Sequence, residues 1–491
     1  MRKQVQKQII EIFQTILEGV NYAVTSQSQQ VGVVLSDCFT TFNFISDNLE
    51  AGLSDERFNF YHTFIVELQS LLETIYGKIS LGQPVDEIAD KFRILLQKLE
   101  TELTQEPEVK IEVVFMPYKS SMWDSLESIW LAANNDERCN AVVVPIPYYD
   151  RNPDRTVAAI HYEGRQFPDN VPIVHYDDYD LSKTLPDIIY IHNPYDDANR
   201  VTSVDPRFYS YNLKHYTNML VYVPYFTSGA YKDIPSFAQK HLTSCVNSVD
   251  KIVVQSSTHK QLYVECGVDE KKLLVLGSPK MDAVANLDIN HVNVPEAWEA
   301  KLKGKKSIVL NSTLGPFLND PQYLEKLKER VSTILSFDEL TLIWRPHPLL
   351  ETTVTSMKPN LYKDYKEVLH MLESHENVIV DLSANTEAAT MVTDGMISDL
   401  SSWARQYIAT EKPVLILNGK SELRKERTCV FDHFSCYFFY DGCSIEEFCK
   451  MVINEVDKLK DERINDLRNS LVNIDGTCGQ KINEHVVSLV G

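Results

Sequence analysis

Two short polar segments carry the residues best suited to chemistry. Arg345-Pro346-His347 follows the apolar run Thr341–Trp344, and Ser398-Asp399-Leu400-Ser401-Ser402 follows Gly395–Ile397. Each apolar run is typical of a buried parallel strand, and ligands of open α/β sheets bind beyond the carboxyl ends of such strands. An arginine and a histidine at one strand end, with a serine pair that opens a helix at another, indicate a site for a phosphate or pyrophosphate.

The roles of these residues follow from their chemistry. Arginine can bind phosphate oxygens through two parallel hydrogen bonds, so Arg345 is a candidate donor-binding residue, although an ion pair with an acidic neighbour is the alternative. We expect His347, held between two prolines, to stabilise a leaving phosphate. Ser401 and Ser402 begin a helix whose first N–H groups can bind a phosphate, or Ser401 only caps that helix. Ser398 and Asp399 are assigned to the same site, where Asp399 would contact a sugar hydroxyl or a loop N–H.

Weaker signals follow two further predicted strands. Lys280, in Gly277–Asp282, is a further candidate cation for a phosphate, and Asp282 can cap the next helix. Ser312 and Thr313 come after the run Ser307–Leu310 and can supply hydroxyl contacts.

The candidates for a general base lie earlier in the chain. His192 follows the buried run Ile188–Ile191, and a neutral histidine suits deprotonation of an acceptor hydroxyl near pH 7. The alternative is a structural histidine that bonds a loop. Asp124 is the second candidate, unless it only caps a helix.

The elements that position these residues fall into three parts. Residues 1–105 show helical stripes of apolar residues, which predict a helical bundle or an interaction and dimerisation module. Residues 106–285 and 286–491 alternate short apolar runs with helical segments, the second part ending in C-terminal helices, and this predicts two Rossmann-like halves with parallel sheets. The predicted fold class is therefore α/β, a GT-B-like pair preceded by a helical domain. Neither half carries GxGxxG or GxxxxGK[ST], which disfavours ordinary dinucleotide binding and P-loop chemistry.

The composition of the chain excludes several classes of binding partner. The chain has 491 residues and a formal net charge of −21, which argues against nucleic acid and against attachment to an anionic leaflet by charge alone. No secretory signal or membrane-spanning run is visible, and 9 scattered Cys are typical of reduced thiols in a cytoplasm. Cys429, Cys436, Cys443 and Cys449, with His433 nearby, lack CxxC spacing. We therefore expect no metal site among these residues. For the chain as a whole we expect no obligatory divalent ion and no cofactor.

The second half resembles the CDP-glycerol glycerophosphotransferase family of teichoic-acid synthesis. The resemblance rests on Gly277–Asp282, Trp344–Pro348, Met396–Ser402 and Glu411–Leu415, in that order. It implies a GT-B fold, a CDP-glycerol or related nucleotide donor between the halves, and transfer of glycerol phosphate to a hydroxyl of a glycan or polyol-phosphate acceptor. It also implies that His347 stabilises the donor phosphates and that the helix start at Ser401 and Ser402 binds them.

The first half departs from the family. Its polymerases carry a Trp-His-Gly-Thr type segment whose His is regarded as the base, and the corresponding run here, Leu220–Phe226, contains no His. Their basic membrane-docking helices are also not evident, so peripheral association with a membrane and a homo-oligomer formed through the N-terminal helices are left open. Two alternatives remain: a GT-B glycosyltransferase that uses a nucleotide sugar, and a non-catalytic nucleotide-binding or scaffold protein.

Overall fold

The computed structural model describes residues 1–490 except 27–29, 153, 200–201, 230, 232, 288–291, 348–349, 384–385 and 419–435. Its strands, labelled in chain order, are β1 Ile111–Met116, β2 Cys139–Val143, β3 Tyr148–Arg151, β4 Val157–His161, β5 Ile188–Ile191, β6 Thr202–Val204, β7 Met219–Tyr222, β8 Lys251–Val254, β9 Leu273–Val275, β10 Lys306–Ser312, β11 Leu340–Pro346, β12 Val378–Val380, β13 Gly395–Ser398, β14 Val414–Ile416 and β15 Tyr437–Phe438.

The N-terminal part is a bundle of four helices, Lys3–Thr25, Val31–Gly52, Asp55–Ser80 and Asp86–Thr104. The apolar side chains that recur at three- and four-residue steps pack against one another in a core of their own, drawn only from this part of the chain. Ser54 begins the third helix by accepting a hydrogen bond from the Arg57 backbone N–H. These helices therefore pack on one another as a bundle, which is the first of the two interpretations of residues 1–105.

The first α/β half contains a parallel sheet in the order β2-β1-β5-β7-β8-β9. Its strands are short and, apart from the edge strand β2, almost wholly buried because helices cover both faces. The helices of this half are Glu127–Asn134, Leu181–Thr184, Ser210–Leu213, Ile234–His241, Cys245–Ser248, Ser257–Glu265 and Asp282–Ala285.

A small antiparallel sheet, β4-β3-β6, was not predicted from the sequence. Its strands are short and only partly buried: β3 is the polar run Tyr148–Arg151, and β4 contains the apolar run Val157–Ile160 but exposes most of it, so neither shows the pattern of a buried strand. The apolar run Ile173–Tyr176 is typical of a strand in the sequence, but it forms only a single bridge, between Val143 and Ile173.

The second half contains a parallel sheet in the order β12-β11-β10-β13-β14-β15. The strands with the candidate donor-site segments, β11 and β13, lie on either side of β10. The helices described in this half are Glu296–Leu302, Leu314–Asn319, Tyr323–Leu335, Leu350–Met357, Tyr362–Glu373, Glu387–Val392, Ser402–Tyr407, Ile445–Ile453 and Lys460–Ser470.

The last helix, Cys478–Ser488, returns to the first half. Cys478, Ile482 and Val486 are buried in the same core as β1 and the helix Glu127–Asn134. The Asp282 carboxylate accepts hydrogen bonds from the backbone N–H groups of Cys478 and Gly479, at 3.1 and 2.7 Å. The structure thus differs from the predicted 286–491 part at its C-terminal end, and Asp282 caps this distant helix instead of the next one. None of the described helices is long and apolar enough to cross a membrane.

Candidate active site

Three strand ends of the second half meet at one edge of the sheet. In the register of β10, Asn311 lies opposite Arg345 of β11 on one side and opposite Ser398 of β13 on the other. The structure therefore brings Arg345–His347 and Ser398–Ser402 together, and it places Asn311–Thr313 between them. All three segments lie beyond carboxyl ends of parallel strands, which is where ligands of such sheets bind.

Arg345 is almost fully buried and its guanidinium is engaged by protein groups. It forms an ion pair with Asp381 and donates hydrogen bonds to the Ser383 hydroxyl and carbonyl, at 3.0 and 2.8 Å. The guanidinium also stacks on Trp403, 5.5 Å from the ring centre. Because Asp381 already neutralises it, the geometry favours the ion-pair interpretation of Arg345 and gives it the role of positioning the loop after β12.

His347 is held at the strand end by its backbone. Its N–H donates to the Ser312 carbonyl at 2.8 Å, and its carbonyl accepts from Leu350 N–H at 2.7 Å. The ring is half-buried, and this burial lowers the pKa of His347 below its usual value. The imidazole is therefore neutral near pH 7 and carries one ring N–H.

The segment Ser398–Ser402 is organised by hydrogen bonds around Asn311. The Asn311 amide donates to the hydroxyls of Ser398 and Ser401, at 2.8 and 3.3 Å. Ser401 caps the helix Ser402–Tyr407 by accepting from Ala404 N–H at 3.1 Å, Ser398 is fully buried, and Ser402 is exposed. In the sequence Asn311 is part of the segment Asn311-Ser312-Thr313 that follows a predicted strand, and the structure makes its amide the link between the two serines.

Ser312, Thr313 and Asp399 tie the strand ends to one another. The Ser312 hydroxyl accepts from the Trp344 indole N–H at 3.1 Å. Asp399 accepts hydrogen bonds from the N–H and the hydroxyl of Thr313, at 3.2 and 3.1 Å. Of the two partners expected for Asp399, a sugar hydroxyl or a loop N–H, the structure shows the loop N–H. Burial raises the pKa of Asp399. In the described structure, the side chains of these three residues form hydrogen bonds with one another or with neighbouring protein groups and so hold the loops in place.

His192 does not fit the role of general base, which corrects the sequence interpretation. The ring is fully buried, its Nε2 accepts from Tyr118 N–H at 3.1 Å, and its Nδ1 lies 3.0 Å from the Ser125 hydroxyl. Because the Ser125 hydroxyl donates to the Met122 carbonyl, His192 carries its proton on Nδ1 and its lone pair is occupied. Burial lowers the pKa of His192 to about 3. The structural-donor alternative therefore describes this residue.

Asp124 and Lys280 meet where the two halves come together. The Lys280 ammonium forms an ion pair with Oδ2 of Asp124, and the Gln406 amide from the second half donates to the same oxygen at 3.4 Å. The other carboxylate oxygen, Oδ1, is buried and has no hydrogen-bond partner among the described residues. Lys280 is thus a partner of Asp124, and the pair stands at the junction with the helix Ser402–Tyr407.

A second contact joins the halves. Arg405, from the same helix, donates to the Thr227 carbonyl beyond β7 at 3.3 Å. The Arg405 guanidinium, in the helix Ser402–Tyr407, is therefore bound by a backbone carbonyl of the first half. The residues that the structure describes contain no cluster suited to a metal ion, and Cys429 and His433 lie outside those residues.

Comparison with known proteins identifies the family. The sequence model of the CDP-Glycerol:Poly(glycerophosphate) glycerophosphotransferase family matches residues 213–473, which is more than half of the 491 residues. The chain belongs to this family. Membership confirms the resemblance and the enzyme class inferred from the motifs: the protein is a glycerophosphotransferase that uses CDP-glycerol. The match also spans β7 and the run Leu220–Phe226, where the histidine of the family's polymerases is missing.

Solved structures show the fold. A putative UDP-N-acetylglucosamine 2-epimerase from Listeria monocytogenes is 14% identical with a TM-score of 0.52, over 77% of this chain and 96% of that one. The wall teichoic acid polymerase TagF is 15% identical with a TM-score of 0.48, over 87% and 98%. No curated protein matches the chain. The predicted α/β class, with two GT-B-like halves and a helical N-terminal part, is confirmed.

Proposed function

We propose that the protein transfers glycerol phosphate from CDP-glycerol to a hydroxyl of a cell-surface glycan or teichoic-acid-like precursor. In this reaction the acceptor oxygen attacks the phosphorus that bears glycerol. The bond from that phosphorus to the bridging oxygen breaks, CMP leaves, and the acceptor proton passes to a base or to water. Such phosphoryl transfers depend mainly on positioning and on stabilising charge at the phosphates.

The observation that carries the donor side is the meeting of three strand ends. His347, Asn311 and Ser401 come from β11, β10 and the turn after β13, and their backbones or side chains are fixed by hydrogen bonds to neighbouring segments. We assign the donor phosphates to the space between the His347 ring and the helix start at Ser401 and Ser402. Arg345 supports this site through its bond to the Asp381–Ser383 loop.

On the acceptor side, we assign Asp124 to orient the acceptor hydroxyl. One of its oxygens is fixed by Lys280 and Gln406, and the other is buried without a partner among the described residues. In protein kinases an aspartate accepts the proton of the substrate hydroxyl, which shows that a carboxylate suffices for this class of reaction. This assignment gives the role of the missing family histidine to a carboxylate that follows β1 instead of β7.

The test is CMP release from CDP-glycerol in the presence of a glycerol phosphate oligomer. We expect the wild-type chain to be stabilised thermally by CDP-glycerol more than by UDP-sugars, since a ligand raises stability in proportion to its binding. His347→Ala should weaken that shift and abolish most turnover, whereas Asp124→Asn should keep the shift and lose turnover. Thr217→Val, at the opposite edge of the first sheet, is the control and should change neither. Preference for a UDP-sugar would overturn the proposal.

We further propose that the reaction takes place in the cytoplasm at the inner face of the membrane. The cysteines of the described residues are all free thiols, as expected in a reducing compartment. The N-terminal bundle is assigned either to packing on the rest of the chain or to contact with a partner, a membrane or a second copy. Sedimentation of the full chain with and without vesicles checks this part independently of catalysis.

A further inference from the structure

Three buried polar groups lie at neighbouring strand ends of the first half. They are the Thr227 hydroxyl, the Nε2 amide of Gln255 and the Ser278 hydroxyl, and none has a hydrogen-bond partner among the residues that the structure describes. The three residues are only 3, 3 and 4% exposed. Buried polar atoms in native proteins are nearly always paired, so three unpaired ones in the loops after three neighbouring strands point to a bound group.

Their positions share one edge of the sheet. Gln255 comes directly after β8, Thr227 follows β7, and Ser278 follows β9, and β8 pairs with both neighbours. These carboxyl ends face the cleft, because the Thr227 carbonyl accepts from Arg405 of the second half. The three groups therefore lie on the first-half side of the same cleft as the donor site.

The orientation of Gln255 is fixed. Its Oε1 accepts a hydrogen bond from Ser228 N–H, so Nε2 turns its two N–H donors to the other side. The groups without a partner are therefore the Gln255 amide, which donates, and the hydroxyls of Thr227 and Ser278, each of which can donate and accept. The nearby cations Arg405 and Lys280 are engaged by the Thr227 carbonyl and by Asp124, and Lys240 lies over the rings of Phe226 and Tyr231. The unused groups are neutral, and they match a neutral ligand that carries hydroxyls.

We propose that Thr227, Gln255 and Ser278 form a polyol site that binds neighbouring hydroxyl groups of a substrate. A polyol hydroxyl can accept from the Gln255 amide and exchange hydrogen bonds with the two hydroxyls at once. This inference rests on the proposed function, because a glycerol unit can come from two sources there. One is the glycerol of the CDP-glycerol donor and the other is the terminal unit of the acceptor.

The test uses the isosteric variant Thr227→Val and the variant Ser278→Ala in the full chain. Affinities for CDP and for CDP-glycerol are measured by calorimetry, together with the affinity for a synthetic glycerol phosphate trimer. If the site holds the donor glycerol, wild type binds CDP-glycerol more tightly than CDP, and each variant loses about fivefold to tenfold of that preference, the range of one neutral hydrogen bond. If it holds the acceptor, the ratio is unchanged and the trimer binds the variants about fivefold to tenfold more weakly.

The stability of the same variants separates a binding role from a structural one. Removing a buried hydroxyl that has no partner should leave the thermal midpoint of the free protein unchanged or raise it. Thr217→Val is the matched control, because its hydroxyl donates to the Asp187 carbonyl at 3.0 Å, so this variant should lose stability and keep both affinities. Unchanged affinities for both ligands in Thr227→Val and Ser278→Ala would overturn the polyol site. A wild type that binds the ligands but releases no CMP would instead refute the proposed function.

Discussion

His192 and His347 both follow buried strands, yet their surroundings give them different chemistry. His192 is enclosed, and both ring nitrogens lie within hydrogen-bonding distance of Tyr118 N–H or the Ser125 hydroxyl. His347 has its backbone fixed, while its ring is only half-buried at the edge of the sheet. A histidine at a strand end is therefore a candidate for catalysis only when its ring remains accessible.

We expect His192→Gln to reduce stability without removing catalysis. Burial lowers the pKa of His192 to about 3, whereas an unfolded histidine titrates near 6.5, so the unfolded chain gains a proton between these values as pH falls. His192 thus contributes stability that is present above pH 6.5 and is lost as pH falls toward 3, at about 1.4 kcal/mol per pH unit for one proton. Urea unfolding from pH 7 to 4 should show a shallower loss in the variant. A folded variant whose kcat has collapsed would contradict this role.

For His347 we expect binding of CDP-glycerol to take up a proton. Burial lowers the pKa of His347 in the free protein, and phosphates beside the ring would raise it. The affinity for CDP-glycerol should therefore fall as pH rises through the pKa of the bound state. Calorimetry across pH 5–8 measures this, with His347→Gln as the control that keeps a hydrogen-bond donor but does not titrate. An equally steep pH dependence in His347→Gln would exclude the histidine as its source.

At the scale of elements, the loops at the donor edge are held by bonds between strands. The Arg345–Asp381 ion pair joins the end of β11 to the loop after β12, and the Asn311 amide joins β10 to Ser401 in the turn after β13. Polar residues at these ends thus serve the geometry of the loops as well as the ligand. The role of each could not be read from its type alone.

We expect Arg345→Met to lower the free energy of unfolding by about 3–5 kcal/mol, because it leaves the Asp381 carboxylate buried without a counter-ion. The double variant Arg345→Met, Asp381→Asn should recover part of this loss. Chemical denaturation measures both. Lys91→Met is the matched control, since its pair with Glu87 is exposed and contributes little. If Arg345→Met lost CDP-glycerol binding while keeping full stability, Arg345 would instead be a direct ligand contact.

At the scale of the whole molecule, the site depends on how the halves meet. The helix Ser402–Tyr407 contacts the first half through Arg405 and Gln406, and the last helix of the chain packs on the first sheet. These contacts fix the distance between the donor edge and Asp124. The active geometry is therefore a property of both halves together.

We expect Gly229→Ala to lower kcat/KM about tenfold with little change in the thermal midpoint. A Cβ at Gly229 would lie 2.5 Å from the Arg405 guanidinium, the end of a flexible side chain that can move away from Thr227. This loosens the contact between the halves and leaves their separate cores intact, and small displacements of reacting groups can reduce rates strongly. Gly77→Ala, where a Cβ meets no atom, is the control. Equal activity of Gly229→Ala and wild type would show that this contact does not position the site.

The bundle, most strands of both sheets and the donor edge are predictable from the pattern of amino acids alone. Apolar runs such as Ile111–Met116 and Ile188–Ile191 are short, β-branched and bounded by polar residues, so burial on both faces is their only stable arrangement. Because β10, β11 and β13 are parallel, their carboxyl ends had to share one edge. The positions of these strands can therefore be predicted from the residue types along each short segment.

Which polar residues remain for chemistry depends on contacts that form only when the chain folds. Whether His192, Arg345 or Lys280 faces a ligand depends on partners that lie 36 to 156 residues away in the chain, such as Asp381 and Asp124. The return of the last helix to the first half and the unpaired groups at Thr227, Gln255 and Ser278 are likewise invisible in the sequence. Hydrogen bonding and desolvation are set by neighbours in space, and a periodic pattern of apolar residues does not specify them.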